Sequence, residues 1–274
     1  MKIYAHRGHG LLYPECTRLA YEKALDAGCD GIYAGVHRAL DGWMVVCDAN
    51  LQRLTGVDTW VWDMTCAQAA ALSVVHPRPA EGVHTLMPLD DFLDLLEARD
   101  TCASLEMVTR MYGGDQRETE LAAHISARGL WDRVVLMGYD HEAVVRCRKA
   151  VPEGQYGLGM FCQLHHLPGY VQSTGVQHLF MRSGSVRKPL AEAMHALGVK
   201  LHAEYVCSTE EALRLRSLGC DVINTPYPQL AEDLAAGRSD IYGRTTEDAL
   251  ATGVPLLNAS MSGIDVSQMR HRRK

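Results

Sequence analysis

The 274-residue sequence has no stretch of the roughly 18 consecutive apolar residues that a membrane span requires, so no transmembrane helix is expected. Its opening run, MKIYAHRGHG, lacks the apolar segment of a secretory signal. Basic residues do not predominate. The chain carries 27 Lys and Arg against 33 Asp and Glu, a net charge of −6, which removes the electrostatic case for nucleic acid as a partner. The one basic cluster, Arg270 to Lys274, reads as a solvated tail. Closely spaced cysteine pairs are also missing. The nine cysteines are odd in number, scattered, and without the C-x-x-C spacing of a zinc site, a pattern that fits reduced thiols and a cytoplasmic location. No internal repeat stands out.

What is there is enough for a large core. With 47% hydrophobic and 22% charged residues, the composition excludes disorder and fibrous repeats. Short apolar runs alternate with amphipathic stretches, the pattern of parallel strands joined by helices. Strands are expected at Ile3–His6, Gly31–Val36, Cys102–Val108, Val134–Tyr139, Tyr156–Phe161, His178–Met181, Lys200–Val206 and Asp221–Asn224. Helices are expected at Thr17–Ala27, Leu89–Ala98, Glu118–Arg128, His141–Lys149, Pro189–Leu197 and Thr209–Leu218. Gly28, Gly129, Gly198 and Gly219 stand where helix-ending glycines would. Eight strands in that order predict an α/β fold, a closed (β/α)8 TIM barrel over residues 1–236. The run Trp43–Asp48 follows the second strand too closely for a helical crossover. With Asp41-Gly42 before it, it reads as a β-hairpin insertion. The stretch Leu51–Pro88, broken by Pro77 and Pro79, is a long excursion, and residues 237–274 form an irregular C-terminal extension.

In such a barrel, function sits where strands end. The first strand ends Ala5-His6-Arg7-Gly8. A titratable His beside a permanently charged Arg suits an anion, Arg7 binding a phosphate or carboxylate and His6 moving a proton. The bland alternative is a pair that merely caps a strand. Tyr13-Pro14-Glu15-Cys16-Thr17 taken alone is only a helix start.

Longer runs carry more. AHRGHGLLYPECTRLAYEKALDAGCDGIYAGVHRALDG followed by VVCDANLQRLTG resembles the glycerophosphodiester phosphodiesterase family, whose pattern is A-H-R-G, P-E-N-T, I-E-x-D-V, then D-G-x-x-V-V-x-H-D with L-x-R-T-T. Ser104-Leu105-Glu106-Met107 resembles that family's L-E-I-K strand, Gly138-Tyr139-Asp140-His141-Glu142-Ala143 its S-F-D-H-E-A, and Lys200-Leu201-His202-Ala203 its V-x-x-W-T-V-N strand. The match runs in order from Lys2 to about Ala235.

The resemblance implies hydrolysis of glycerophosphodiesters to an alcohol and glycerol 3-phosphate. It also implies a divalent cation (Mg²⁺ or Ca²⁺) on three carboxylates, and two acid–base histidines. Several of these positions are replaced. The first two metal ligands fall at Tyr33 and Gly35, leaving Glu106, and hard cations want several oxygen ligands, charged ones among them. The hairpin is one residue short, so Cys47-Asp48 stands for x-His-Asp. Cys16 replaces the Asn of P-E-N-T, and Glu204 stands at the Trp of W-T-V-N. Such replacements are what relaxed selection or redesign would leave.

Six candidate site residues follow: His6 and Arg7 as catalytic, Glu106 as metal ligand, and Glu15, Asp48 and Glu204 at the substrate. Glu204 either substitutes as a ligand beside Glu106 or pairs with Arg7 or Arg182. Cys47 near His6 is either a nucleophile or a buried structural thiol. One of His165 and His166, with Cys162, could face the pocket. Trp60 and Trp62 line the mouth or staple the excursion. The expected ligand is a small phosphodiester or phosphate ester. Two functions stay open: weak or altered hydrolysis, and a non-catalytic pseudoenzyme that binds phosphate esters.

Overall fold

The computed structural model describes residues 1–75, 82–108 and 117–239. Pro77 and Pro79, and the C-terminal extension beyond residue 239 with its basic end, lie outside the described residues. In chain order the strands are β1 (Lys2–His6), β2 (Gly31–Arg38), β3 (Trp43–Val45), β4 (Met87–Pro88), β5 (Cys102–Met107), β6 (Val134–Gly138), β7 (Tyr156–Met160), β8 (His178–Arg182), β9 (Lys200–Glu204) and β10 (Val222–Thr225). β1, β2 and β5 to β10 pair in parallel, and β1 bonds both β2 and β10, so the sheet closes into an eight-stranded barrel. The helices Arg18–Asp26, Leu89–Ala98, Glu118–Ala127, His141–Ala150, Leu167–Thr174, Lys188–Ala196 and Thr209–Ser217 carry the chain from one barrel strand to the next, and Gln229–Ala235 follows the last. The fold is the (β/α)8 barrel that the strand order predicts.

Local chemistry explains the helix ends. Thr17, Asp140 and Ser208 side chains accept from backbone N–H groups in the first turns of their helices, caps worth about 1 kcal/mol each. Gly28, Gly129, Gly198 and Gly219 all take positive φ where their helices stop. The helix Leu167–Thr174 escapes the sequence pattern because Pro168 and Gly169 occupy its first turn.

The hairpin is present, with β3 antiparallel to the end of β2, but its turn is longer than Asp41-Gly42: Arg38 pairs with Trp43 and Ala39 N–H bonds Gly42 O at 2.9 Å. β4 continues the antiparallel pairing on β3. The described part of the excursion is packed. It builds its own small core from Cys16, Met44, Leu51, Leu54, Val61 and Leu86, beside the barrel.

Alternation along the strands splits the interior in two. One face, including Ile32, Ala34, Leu105, Leu136, Leu158, Leu179, Leu201 and Ile223, packs against the helices in the main core. The other points into the barrel and is aromatic and polar: Tyr33, Met137 and Phe180 cluster there, and Phe180 stacks on His202 with ring centroids 4.0 Å apart. Glycine makes room for these rings. A Cβ at Gly157 would lie 2.5 Å from the Phe180 ring, and one at Gly159 would lie 2.5 Å from the Tyr139 ring.

Low in this interior, His178 Nδ1 and His202 Nε2 are 2.9 Å apart. Burial is the main cause holding both rings neutral, with His178 lowered to about 3 and His202 lowered well below its usual value. A base with a depressed folded pKa takes up its proton on unfolding, so this contribution weakens stability as pH falls below about 6.5. Between pH 6 and 5 we expect the unfolding free energy to fall by up to about 1.4 kcal/mol for each ring. In His178→Gln about half of the pair's share should vanish, and urea unfolding at the two pH values checks it.

Candidate functional site

β1 delivers His6 to the C-terminal mouth, and the chain then turns sharply. Arg7 has φ 62° and Gly8 φ 79°. A side chain at Gly8 would strike the Ala20 carbonyl carbon at 2.7 Å, so only glycine passes beneath the helix Arg18–Asp26. Arg7 N–H bonds Tyr33 O at 2.8 Å, and the Arg7 carbonyl accepts from Cys16 N–H at 3.1 Å. Cys16 (φ 60°) and Tyr205 (φ 62°), which follows β9, are also left-handed. Three strained non-glycine residues around one mouth mark the place where the fold holds costly geometry.

The Arg7 guanidinium is buried and must be neutralised there. Glu15 lies 3.6 Å and Asp48 3.5 Å from its Nη1, and Arg53 bonds both carboxylates from the other side. Burial opposes the Arg7 charge, but Cys47, Glu15 and Asp48 outweigh it and keep it fully protonated. Asp48 is held below the usual carboxylate range: burial would raise it, and Arg7 and Arg53 overcome that. Arg7 Nε donates to His6 Nε2 at 3.1 Å, and the Tyr205 hydroxyl lies 3.2 Å from the same nitrogen. The His6 proton therefore sits on Nδ1, which is buried and has no hydrogen-bond partner among the described residues. Burial, then the charges of Arg7 and Arg182, push His6 well below the usual histidine value, so the ring is neutral.

His6, Tyr33, Glu106, Tyr139, Phe161, Arg182, Glu204 and Tyr205 surround a cavity of about 10 Å³, the space for one water. Tyr33 OH donates to Glu106 Oε2 at 2.7 Å, and Tyr139 OH to Glu204 Oε2 at 2.8 Å. Burial raises both carboxylates: Glu106 upward against the pull of Tyr33 and Arg7, and Glu204 to about 7. The Arg182 guanidinium lies over the Tyr205 ring at 4.9 Å and the Phe161 ring at 5.8 Å.

The residues do not fit a divalent cation. Tyr33 spends its hydroxyl on Glu106, and Gly35 has no space for a ligand: a Cβ there would lie 2.8 Å from Val46 O and 2.9 Å from Cys47 Cα. The chain after β3 lies directly against β2, with Val46 N–H bonding Gly35 O at 2.9 Å. Among the described residues, no group of three His, Cys, Asp or Glu side chains is arranged to hold a metal ion.

Of the six candidates named from sequence, His6, Glu106 and Glu204 meet at the cavity, while Arg7, Glu15 and Asp48 form the ion cluster behind His6. Glu204 takes its hydrogen bond from Tyr139, with the Arg182 charge also acting on it. Cys162, His165 and His166 are exposed and do not line the cavity. Trp60 and Trp62 stack on each other at 4.6 Å, away from the cavity lining. The sequence reading missed Arg53, though the Leu51–Thr55 match to L-x-R-T-T contained it, and it missed the ring of Tyr139, Phe161 and Tyr205, which carries no polar motif.

The family model for the glycerophosphoryl diester phosphodiesterase family matches residues 6–230. A glycerophosphodiester phosphodiesterase of Bacillus altitudinis is 27% identical over 235 residues, covering 84% of this chain and 96% of its own. The crystal structure of a glycerophosphodiester phosphodiesterase from Agrobacterium tumefaciens superposes with TM-score 0.73 at 22% identity, covering 86% of this chain and 99% of that one. An Oleispira antarctica phosphodiesterase, solved with its product sn-glycerol 3-phosphate, gives TM-score 0.73 at 18% identity over 86% of this chain and 97% of that one.

Two outcomes follow from the geometry. Gly35→Asp should lower stability by about 1–3 kcal/mol through overpacking, with no heat of Mg²⁺ or Ca²⁺ binding in a calorimetric titration. Glu204 has a folded pKa of about 7 against an ordinary value of 4.5, so its ionisation opposes folding above pH 7 and costs nothing below 4.5. Glu204→Gln, which keeps an acceptor for Tyr139, should stabilise the protein at pH 8 by about 1–3 kcal/mol and leave it unchanged at pH 4, read by chemical unfolding at both values.

Proposed function

The chain belongs to the glycerophosphoryl diester phosphodiesterase family, and from that membership we propose that its barrel mouth binds glycerophosphodiesters and cleaves them weakly, without a divalent cation. The observation that carries this reading is the pair of buried carboxylates on one cavity, each held by a tyrosine hydroxyl.

In this proposal the phosphate enters at the cavity and draws Arg182 off the Tyr205 ring to its oxygens. His6 Nδ1–H donates to the phosphate as a neutral imidazole, its orientation fixed by Arg7 through Nε2. Arg7 stays behind His6, where Glu15 and Asp48 hold it, and its field adds to the attraction for the anion. Glu106 takes a proton from the attacking water as its oxygen bonds to phosphorus. Glu204, half protonated near pH 7, gives its proton to the alcohol oxygen as that P–O bond breaks. Without the second histidine, worth about 10²–10⁴-fold, and without a Lewis acid, turnover is slow.

A second reading, binding without cleavage, is favoured by the occupation of His6 Nε2: the ring's only lone pair is already taken by Arg7 and Tyr205. The products of phospholipid turnover are the ligand class under either reading. We place the protein in the cytoplasm, supported by nine unpaired cysteines. Among the described residues no helix is long and apolar enough to cross a membrane.

The test is hydrolysis of glycerophosphocholine, assayed with EDTA, Mg²⁺ and Ca²⁺, beside thermal shift with glycerol 3-phosphate. Slow turnover unchanged by EDTA, and a glycerol 3-phosphate affinity weakened about tenfold in Arg182→Gln, is the expected result. Turnover abolished by EDTA would overturn it. A thermal shift without turnover would select the second reading.

A further inference from the structure

The half-buried rim of the cavity is formed by Tyr139, Phe161, Arg182 and Tyr205. The Arg182 guanidinium carbon, at the end of β8, is 4.9 Å from the centre of the Tyr205 ring and 5.8 Å from that of Phe161. Both distances fall inside the roughly 6 Å over which an aromatic face attracts a cation. The two rings come from the strands on either side of β8, Phe161 directly after β7 and Tyr205 directly after β9. Each ring is anchored. Phe161 stacks on Tyr139 with centroids 4.2 Å apart and planes within 10° of parallel, and the Tyr139 hydroxyl bonds Glu204. Tyr205 is set by its left-handed backbone, and its ring lies 4.9 Å from that of His6. Beyond Phe161, residues 162–166 are all exposed, so this side of the rim opens to solvent. The molecule thus already holds one cation between two fixed aromatic faces.

We propose that Phe161 and Tyr205 form the subsite for the alcohol half of the diester, and that the alcohol they take bears a quaternary ammonium. The inference rests on the phosphodiester reading above, in which Arg182 leaves the rings for the phosphate. Two aromatic faces, spaced for a cation, then stand without one. The charges exchange: the guanidinium goes to the phosphate oxygens and the head group takes its place. The alcohol lies on this side because Glu204, the group facing its oxygen, is paired in register with Arg182 and bonded to Tyr139, on which Phe161 stacks. A quaternary ammonium suits ring faces because it carries no N–H. A primary ammonium would bring three donors to faces that offer them no lone pair, and its lost hydration would not be offset there. Glu106 and Glu204 line the same cavity, and each already receives a tyrosine hydroxyl. Their negative charge favours a cationic head group over a neutral one of the same shape.

The experiment is calorimetric titration of the full chain in EDTA with glycerol 3-phosphate and three of its diesters. These are glycerophosphocholine, glycerophosphoethanolamine and the uncharged neohexyl ester, in which carbon replaces the choline nitrogen. Glycerophosphocholine should bind about tenfold more tightly than either of the other diesters. Phe161→Leu should bring it down to their level while leaving glycerol 3-phosphate within about twofold, and Phe161→Tyr, which keeps the face, should retain the preference. Equal affinity for the three diesters, with glycerol 3-phosphate still bound, would overturn the head-group inference and leave the phosphodiester reading standing. An equal loss for every ligand in Phe161→Leu would overturn it in the same way. No binding of any phosphate ester would overturn both. If Phe161→Leu fails to fold, by its circular dichroism melt, the comparison of the choline and neohexyl esters on the unsubstituted protein decides alone.

Discussion

A guanidinium buried beside the end of β1 sets the terms for the mouth of this barrel. Arg7 has almost no contact with water, and an uncompensated charge there would be far costlier than any single contact could offset. Its compensation comes from two separate stretches, Glu15 from the turn before the first helix and Asp48 from the segment after the hairpin, and Arg53 from the excursion shares both carboxylates. The decorations of the barrel are therefore tied to it by electrostatics as well as by their small apolar core. The same guanidinium fixes the tautomer of His6, since its Nε–H claims the lone pair on Nε2. One charge thus determines both where the loops sit and what the first-strand histidine can do.

The site itself shows how two carboxylates are accommodated inside the barrel. A carboxylate such as Glu106, left alone in a barrel interior, would be an unpaired buried charge. The Tyr33 hydroxyl gives it a donor, and Tyr139 does the same for Glu204. The rings that carry those hydroxyls line the cavity, which has the size of a water. Burial raises both carboxyl groups, so each is placed to exchange a proton nearer neutral pH than an exposed carboxylate would.

Much of this was legible in the sequence, and the reasons differ by level. The barrel strands and most helices followed from alternation and from glycines at helix ends, both local signals. Family motifs named His6, Arg7, Glu15, Asp48 and Glu106, and the structure gathers all five around one mouth. Partnerships were not legible. That Arg7 turns to Glu15 and Asp48 rather than into the cavity, and that Arg182 faces it instead, depends on strands far apart in sequence. The helix Leu167–Thr174 and the short elements within Leu51–Pro88 were hidden because they are brief and are held by packing rather than by propensity. Tyr139 was invisible as a site residue for a simpler reason: an aromatic at the end of a strand reads as core until its hydroxyl is seen to meet a carboxylate.

The antiparallel extension has a bearing on how the molecule keeps to itself. A closed barrel exposes no strand edges, but β3 and β4 reopen one, and the sheet order ends at β4. That last strand is only Met87–Pro88, and Pro88 has no N–H to offer. An arriving strand would find at most a single donor before the chain turns into the helix Leu89–Ala98. The barrel has thus acquired a decorated rim without acquiring a template for cross-β stacking, the hazard that an unguarded sheet edge carries.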